Sequence, residues 1–133
     1  MPSMAFVADQ NAGAKVIHNN QRSEMVALAL PAGNYALFAS GTVEGSDSRS
    51  VHCFIETTTT TVATSDAKLE VKPVFVPVPA LFGVLTLAAP DTVRVNCLVS
   101  EFTPGDAAGF SFRLMAVSID AIGRPVIARS QAR

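Results

Sequence analysis

Charge is what this sequence has least of. Only 16 % of its 133 residues are Asp, Glu, Lys or Arg, against roughly 25 % in an ordinary soluble domain. Ten basic residues offset eleven acidic ones for a net charge of −1. A chain without a basic field does not hold phosphates, so nucleic acid is excluded as the main partner. Trp is absent and Tyr35 is the only Tyr, which removes the usual stacking platform of a sugar site. No run of about 18 apolar residues occurs, so no membrane-spanning helix is expected. The opening stretch MPSMAFVADQ has neither a basic n-region nor a long apolar h-region. No signal peptide is therefore expected, and synthesis in a reducing cytoplasm is.

Residues for catalysis are equally scarce. The two imidazoles are His18 and His52. His52 adjoins Cys53, but neighbours on a strand point to opposite faces, so thiol and imidazole cannot form a dyad. The same geometry and the absence of finger spacing exclude a zinc site built from Cys53, Cys97, His18 and His52. The carboxylates Glu44, Glu56, Asp91, Glu101 and Asp106 sit singly at turns and strand ends, where Asp91 and Asp106 read as turn formers. No phosphate-binding glycine loop, nucleophile elbow, EF-hand loop or Asn-x-Ser/Thr sequon is present. The expectation is a protein with no catalytic, cofactor-binding or metal-binding residues, and not an enzyme.

What the chain does have is apolar residues, 49 % of the total. With so few charges to cover an apolar surface, some of that surface is expected to be covered by a partner. Short Val-, Phe-, Ile- and Thr-rich segments alternate with Pro, Gly, Asp and Asn, which predicts an all-β antiparallel sandwich of about eight strands. The segments are Ala5–Ala8, Ala14–His18, Met25–Leu30, Tyr35–Val43, Val51–Ala63, Leu81–Ala88, Thr92–Ser100 and Phe110–Ile122. The run Thr57–Thr61 reads as strand through β-branching. VKPVFVPVP, Val71–Pro79, reads as an edge strand or extended arm because its prolines cannot donate to a ladder. Residues 1–20 read as an N-terminal arm with a short strand, 21–123 as the sandwich, and 124–133 as a basic C-terminal tail.

Period-two patterning assigns faces. Val51, Cys53 and Ile55 share one face, and so do Val93, Val95, Cys97 and Val99. Both thiols therefore point inward, as inert buried groups or as a disulfide. In the last segment Phe110, Phe112 and Leu114 line one face and Met115, Val117 and Ile119 the other. Either a bulge shifts the phase there or both sides of the strand are covered. Phe75, Phe82, Met115, Val117 and Ile119 are the expected subunit interface, while Tyr35 and Phe112 are expected in the core.

The run LPAGNYALFASGTVEG (Leu30–Gly45), followed by VHCFIE, LTLAAPDTVRVNC and GFSFRLMAVSI, resembles the compact jelly rolls of the tumour-necrosis-factor and complement globular-head superfamily. Gly33, Tyr35, Asp91, Phe110, Ser111 and Phe112 stand at matching places, and the similarity covers roughly Met25 to Gly123. The chain is also similar to small bacterial and phage proteins that share the PAG-x-Y start and two Val-x-Cys strands. The resemblance implies a jelly roll and threefold assembly through an aromatic sheet. Without a collagen-like stalk or membrane anchor it does not imply receptor signalling. By analogy it implies a virion protein assembled in the host cytoplasm, a homotrimeric decoration or cement protein on a phage capsid. Its partners would be its own copies and a major capsid or tail protein, docked through residues 1–20 or Val71–Pro79. The alternatives are a receptor- or glycan-binding knob using loops Glu44–Ser50 and Glu101–Gly109, or a small bacterial jelly roll of another ligand.

Overall fold

The short β-branched segments fold as the alternation requires, each giving one face to a common core. The computed structural model describes residues 4–11, 13–100 and 105–119; the basic tail at 124–133 lies outside them. Within the described residues the strands are β1 (Ala5–Asp9), β2 (Lys15–Ile17), β3 (Ser23–Leu30), β4 (Gly33–Gly45), β5 (Ser50–Glu56), β6 (Thr61–Lys68), β7 (Val74–Leu87), β8 (Asp91–Ser100) and β9 (Ala107–Ile119). Sheet A runs β1-β9-β4-β7, with β2 also paired to β9; sheet B runs β3-β8-β5-β6. Every strand pair is antiparallel. The chain is thus an all-β, jelly-roll-like sandwich, and residues 1–20 contribute two strands to it.

The core lies between the sheets. Leu37, Val43, Phe112 and Leu114 of sheet A meet Val51, Ile55, Val93, Val95 and Val99 of sheet B, all but fully buried. Each such side chain contributes about 1.5–3 kcal/mol by leaving water. Tyr35 is buried too, and its hydroxyl donates to the Pro31 carbonyl at 2.7 Å, so its polar tip is satisfied.

Two segment assignments change. Four of the five threonines, Thr57 to Thr60, form a turn and only Thr61 is in a strand: the Thr57 N–H donates to the Thr60 carbonyl at 2.8 Å. The Thr57 hydroxyl accepts from the Thr60 and Thr59 N–H groups at 3.0 and 3.3 Å. Local hydroxyl-to-backbone bonds have outweighed β-propensity here, splitting Val51–Ala63 into β5 and β6. Conversely, the proline-rich segment from Val74 onward and the segment after it join as the single strand β7, which lies at the edge of sheet A where missing N–H donors are tolerated.

The last strand carries the bulge. Ser111 has φ 55°, and Ser40 and Thr42 pair with Arg113 and Phe110. Gly41 therefore stands opposite both Ser111 and Phe112. On the other side of β4, Ala39 pairs with Leu81 and Gly41 with Val78, so Ser40 faces both Pro79 and Ala80. These aligned irregularities cross the middle of sheet A as a belt. Gly41 is needed there because a Cβ would lie 2.4 Å from the Phe112 ring. Gln10 replaces ladder bonds that the bulge removes: its side chain donates to the Gly109 carbonyl at 2.8 Å and accepts from the Phe112 N–H at 3.1 Å.

The consequence corrects the expected facing. Phe112 and Leu114 point into the core, but the extra residue turns Phe110 to the outside. There its ring lies 5.5 Å from that of exposed Phe75.

Candidate functional site

The outer face of sheet A is the feature that packing within one chain leaves unexplained. Registers place its side chains in rows. One row is Val7, Met115, Phe38 and Phe82, and the next is Ala5, Val117, Ala36 and Val84. Ile119 extends the face beside Asn34. Phe38 and Phe82 stack with centroids 5.0 Å apart. Past the belt lies a second cluster, Phe110 and Phe75, beside Pro77. Phe75 and Phe82 are each 59 % exposed, and Val7, Phe38 and Val84 are exposed as well.

Between the two apolar clusters runs one polar row. Arg113 pairs with Asp9 on β1 and stands beside Ser40 on β4. The guanidinium donates twice to the carboxylate, Nε to Oδ1 at 2.5 Å and Nη2 to Oδ2 at 3.2 Å. That bidentate bond holds the Asp9 carboxyl below the usual range and raises the Arg113 pKa. An apolar groove of about 240 Å³, lined by Phe38, Ala80, Leu81, Phe82 and Met115, abuts Arg113 on one side. A more polar depression beside Gln10 and Ser111 abuts it on the other.

The five residues expected at a subunit interface, Phe75, Phe82, Met115, Val117 and Ile119, all lie on this one outer face. Sequence reasoning missed Phe38, although a signal existed: it is the large residue on the face of β4 opposite Tyr35 and Leu37. Phe110 was missed because the bulge is not visible in period-two patterning. Asp9 and Arg113 are 104 positions apart, and no local pattern links them.

Sheet B presents the opposite surface. Glu56 accepts from Arg22 at 2.8 Å, Asn96 at 3.0 Å and Thr61 at 2.9 Å. Partial burial pushes its carboxyl up, but those hydrogen bonds outweigh it and the pKa lies below the ordinary value. Arg22 also covers the Phe54 ring at 4.4 Å, and Arg94 donates to Glu24 at 2.9 Å. Asp91, held by the Thr58 hydroxyl and the Thr92 N–H, is likewise lowered.

Cys53 and Cys97 are cross-strand partners in β5 and β8 and form a disulfide, with Cα atoms 4.1 Å apart and both residues fully buried. His52 lies on the other face of β5, as alternation demands, with its Nδ1 on the Asp66 carboxylate. Its second cross-strand neighbour is Leu98, which supplies no nucleophile. Among the described residues no group of three or more His, Cys, Asp or Glu could hold a metal ion. In the loops considered for ligand binding, Asp47 pairs with the largely buried Arg49 at 3.1 Å. Asp106 accepts from the Asn19 N–H at 3.1 Å and lies 3.7 Å from His18. Residues 101–104 of the second loop lie outside the described residues.

No family model matches this chain, and no curated protein matches it either. In three dimensions it is similar to the globular domain of the zebrafish complement 1qA protein, with a TM-score of 0.60 at 14 % sequence identity. The likeness covers 91 % of this chain and 98 % of that one. Nothing in it points to a virus particle. At that identity it shows the fold alone: a jelly-roll sandwich of the complement globular-domain kind.

Proposed function

We propose that this chain is a non-enzymatic structural module whose copies associate, as a trimer, through the outer face of sheet A. The observation that carries the reading is the pair of exposed aromatic clusters on one sheet face, in a chain with few charges to spare. The size is adequate. Four strand positions at about 4.8 Å spacing, each about thirteen residues long at about 3.3 Å per residue, make a face on the order of 800 Å², which is one partner's share of a standard interface. Association by strand addition is disfavoured on the β7 edge, where Pro77 and Pro79 offer no donor, so contact through the face is the available mode. Two clusters separated by a belt suit a ring, in which each copy gives one cluster to each of two neighbours.

Within this reading the module decorates or cements a larger shell, such as a phage capsid, with a major capsid or tail protein as the further partner. Composition and the self-associating face support that role. A stapled sandwich is useful to a particle that must survive outside a reducing cell. A recognition module is the second reading, favoured by the likeness in fold to a complement domain.

Sedimentation at micromolar concentration tests the association. The expected species is three times the 13.9 kDa of one chain, and Phe82→Ser should shift it toward monomer. A wild-type monomer at every concentration would remove the reading. Mass spectrometry of purified particles, finding the chain at a fixed ratio to the capsid subunit, separates a cement protein from a free recognition module.

A further inference from the structure

An apolar face alone is adhesive but not directional, because burial of apolar surface has no preferred orientation. The outer face of sheet A is not uniformly apolar. Among the described residues its one ion pair, Asp9–Arg113, crosses it between the Phe38–Phe82 and Phe75–Phe110 clusters, on the row next to the bulge belt. We infer that the Asp9–Arg113 pair is the register key of self-association: it fixes how one copy seats on the next, and the partner it recognises is the same polar row of another copy.

This inference rests on the proposed self-association and adds residues that specify it. The row carries one charge of each sign, so a second copy presents the complementary charges automatically and neither sign accumulates. The guanidinium already meets both carboxylate oxygens within the chain. That geometry pre-orders both side chains and leaves the remaining guanidinium N–H groups for an acceptor across the contact. The depressions on either side of Arg113 give room beside the belt for a protruding side chain of the neighbour. Slipping the copies along the strands would set a charged pair against Phe38 and Phe82. Such a slip desolvates the charges without a partner and is penalised accordingly.

Once covered by the second copy, an ion pair of this kind has a signature that mere packing lacks. Removing one partner strands a charge in the contact, whereas replacing both by apolar groups of similar size does not. Wild type, Arg113→Met, Asp9→Val, the double variant Asp9→Val/Arg113→Met and the swap Asp9→Arg/Arg113→Asp would be compared by sedimentation over a dilution series. Melting curves of each variant show that the sandwich still folds. The singles should dissociate at concentrations at least about tenfold higher than wild type. The double variant should associate again but as a mixture of species, having lost its register. The swap should restore both affinity and a single species. Singles that associate as tightly and as uniformly as wild type would overturn the inference while leaving self-association intact. A double variant as uniform as wild type would overturn it too. A monomeric wild type would instead remove the reading on which it rests.

Discussion

The two sheets share a core but differ in what they turn outward. Sheet A is interrupted at its middle by bulges in β7 and β9 and shows Phe38, Phe75, Phe82 and Val84 to the outside. Sheet B is pinned at its middle by Cys53–Cys97, where β5 and β8 run in unbroken register. Its outside carries Glu24, Arg94, Arg22, Glu56, Asn96 and the His52–Asp66 pair. The polar side chains are therefore unevenly distributed: sheet B carries several ion pairs on its outside, whereas sheet A sets its Asp9–Arg113 pair, Ser40, Thr42 and Glu44 among exposed aromatic and aliphatic side chains. A monomer would gain solubility by spreading them. The asymmetry is what a chain needs if one sheet meets water and the other meets protein.

The largest loss is expected from removing the side chain on which the belt of sheet A closes. Phe112→Ala would leave a cavity over Gly41 and Gly109, whose close approach to the ring depends on the missing Cβ atoms. We expect a loss of about 3–5 kcal/mol in denaturant unfolding. A loss below about 1 kcal/mol would show that Phe112 is not the anchor of the bulge.

Cutting the staple of sheet B should have the next largest effect. The disulfide spans 44 positions, and closing a loop of that length restricts the unfolded chain by about 4 kcal/mol in the chain-entropy account, within an observed range of about 2–5. Cys53→Ala should lower stability by that order under oxidising conditions, and reductant should narrow the gap between variant and wild type. If the variant unfolds at the same denaturant concentration as oxidised wild type, sheet B is not held by its staple.

Much of this difference was legible in the sequence, and the illegible part has a single kind of cause. Strict alternation in Val51–Ile55 and Val93–Val99 placed both cysteines inside, and the structure agrees because those strands contain no bulge. The same alternation misplaced Phe110, since one extra residue at Ser111 reverses every side chain beyond it. The threonine turn was hidden for a related reason: β-branched residues favour strand, yet a hydroxyl can cap a turn just as well. Phe75, Phe82, Met115, Val117 and Ile119 could be placed on one surface because each is a large apolar residue in a phase left over from the core. The partners of Glu56 and of Arg113 could not, being brought together only by the pairing of distant strands.

Matched substitutions on the two outer faces should affect different properties. Phe82→Ser on sheet A and Phe54→Ser on sheet B remove similar aromatic area. Phe54 is covered by Arg22, whereas Phe82 is 59 % exposed. The first should weaken self-association by about tenfold or more, the effect of losing an aromatic anchor worth at least about 1.4 kcal/mol, with little change in melting. The second should cost some folding stability and leave association unchanged. Sedimentation and melting on the same samples read both effects, and equal weakening of association by the two would erase the functional difference between the faces.

The smallest expected effect concerns acid. The Glu56 carboxyl, only 13 % exposed, has a pKa below its ordinary 4.5 because hydrogen bonds from Arg22, Asn96 and Thr61 outweigh its partial burial. The unfolded chain therefore binds a proton at Glu56 more readily than the folded one, so stability rises with pH through this region. The contribution of Glu56 is present in full above about pH 5 and is lost as pH falls through the lowered folded value. Asp91 is also lowered, by Thr58 and Thr92, and Asp9 by Arg113, so wild type loses stability from several groups over the same acid range. Glu56→Gln isolates one of them: it keeps a carbonyl acceptor for one donor and removes the charge. At neutral pH the variant should be less stable by about 1 kcal/mol, the usual net worth of a hydrogen bond to a charged group less what the amide retains. Urea unfolding at a series of pH values should show the gap between wild type and variant closing as the solution is acidified toward about pH 3. A gap of constant size would mean that Glu56 stabilises sheet B through shape and not through charge, and the polar face would then be a solvated surface with no electrostatic part in holding the sheet.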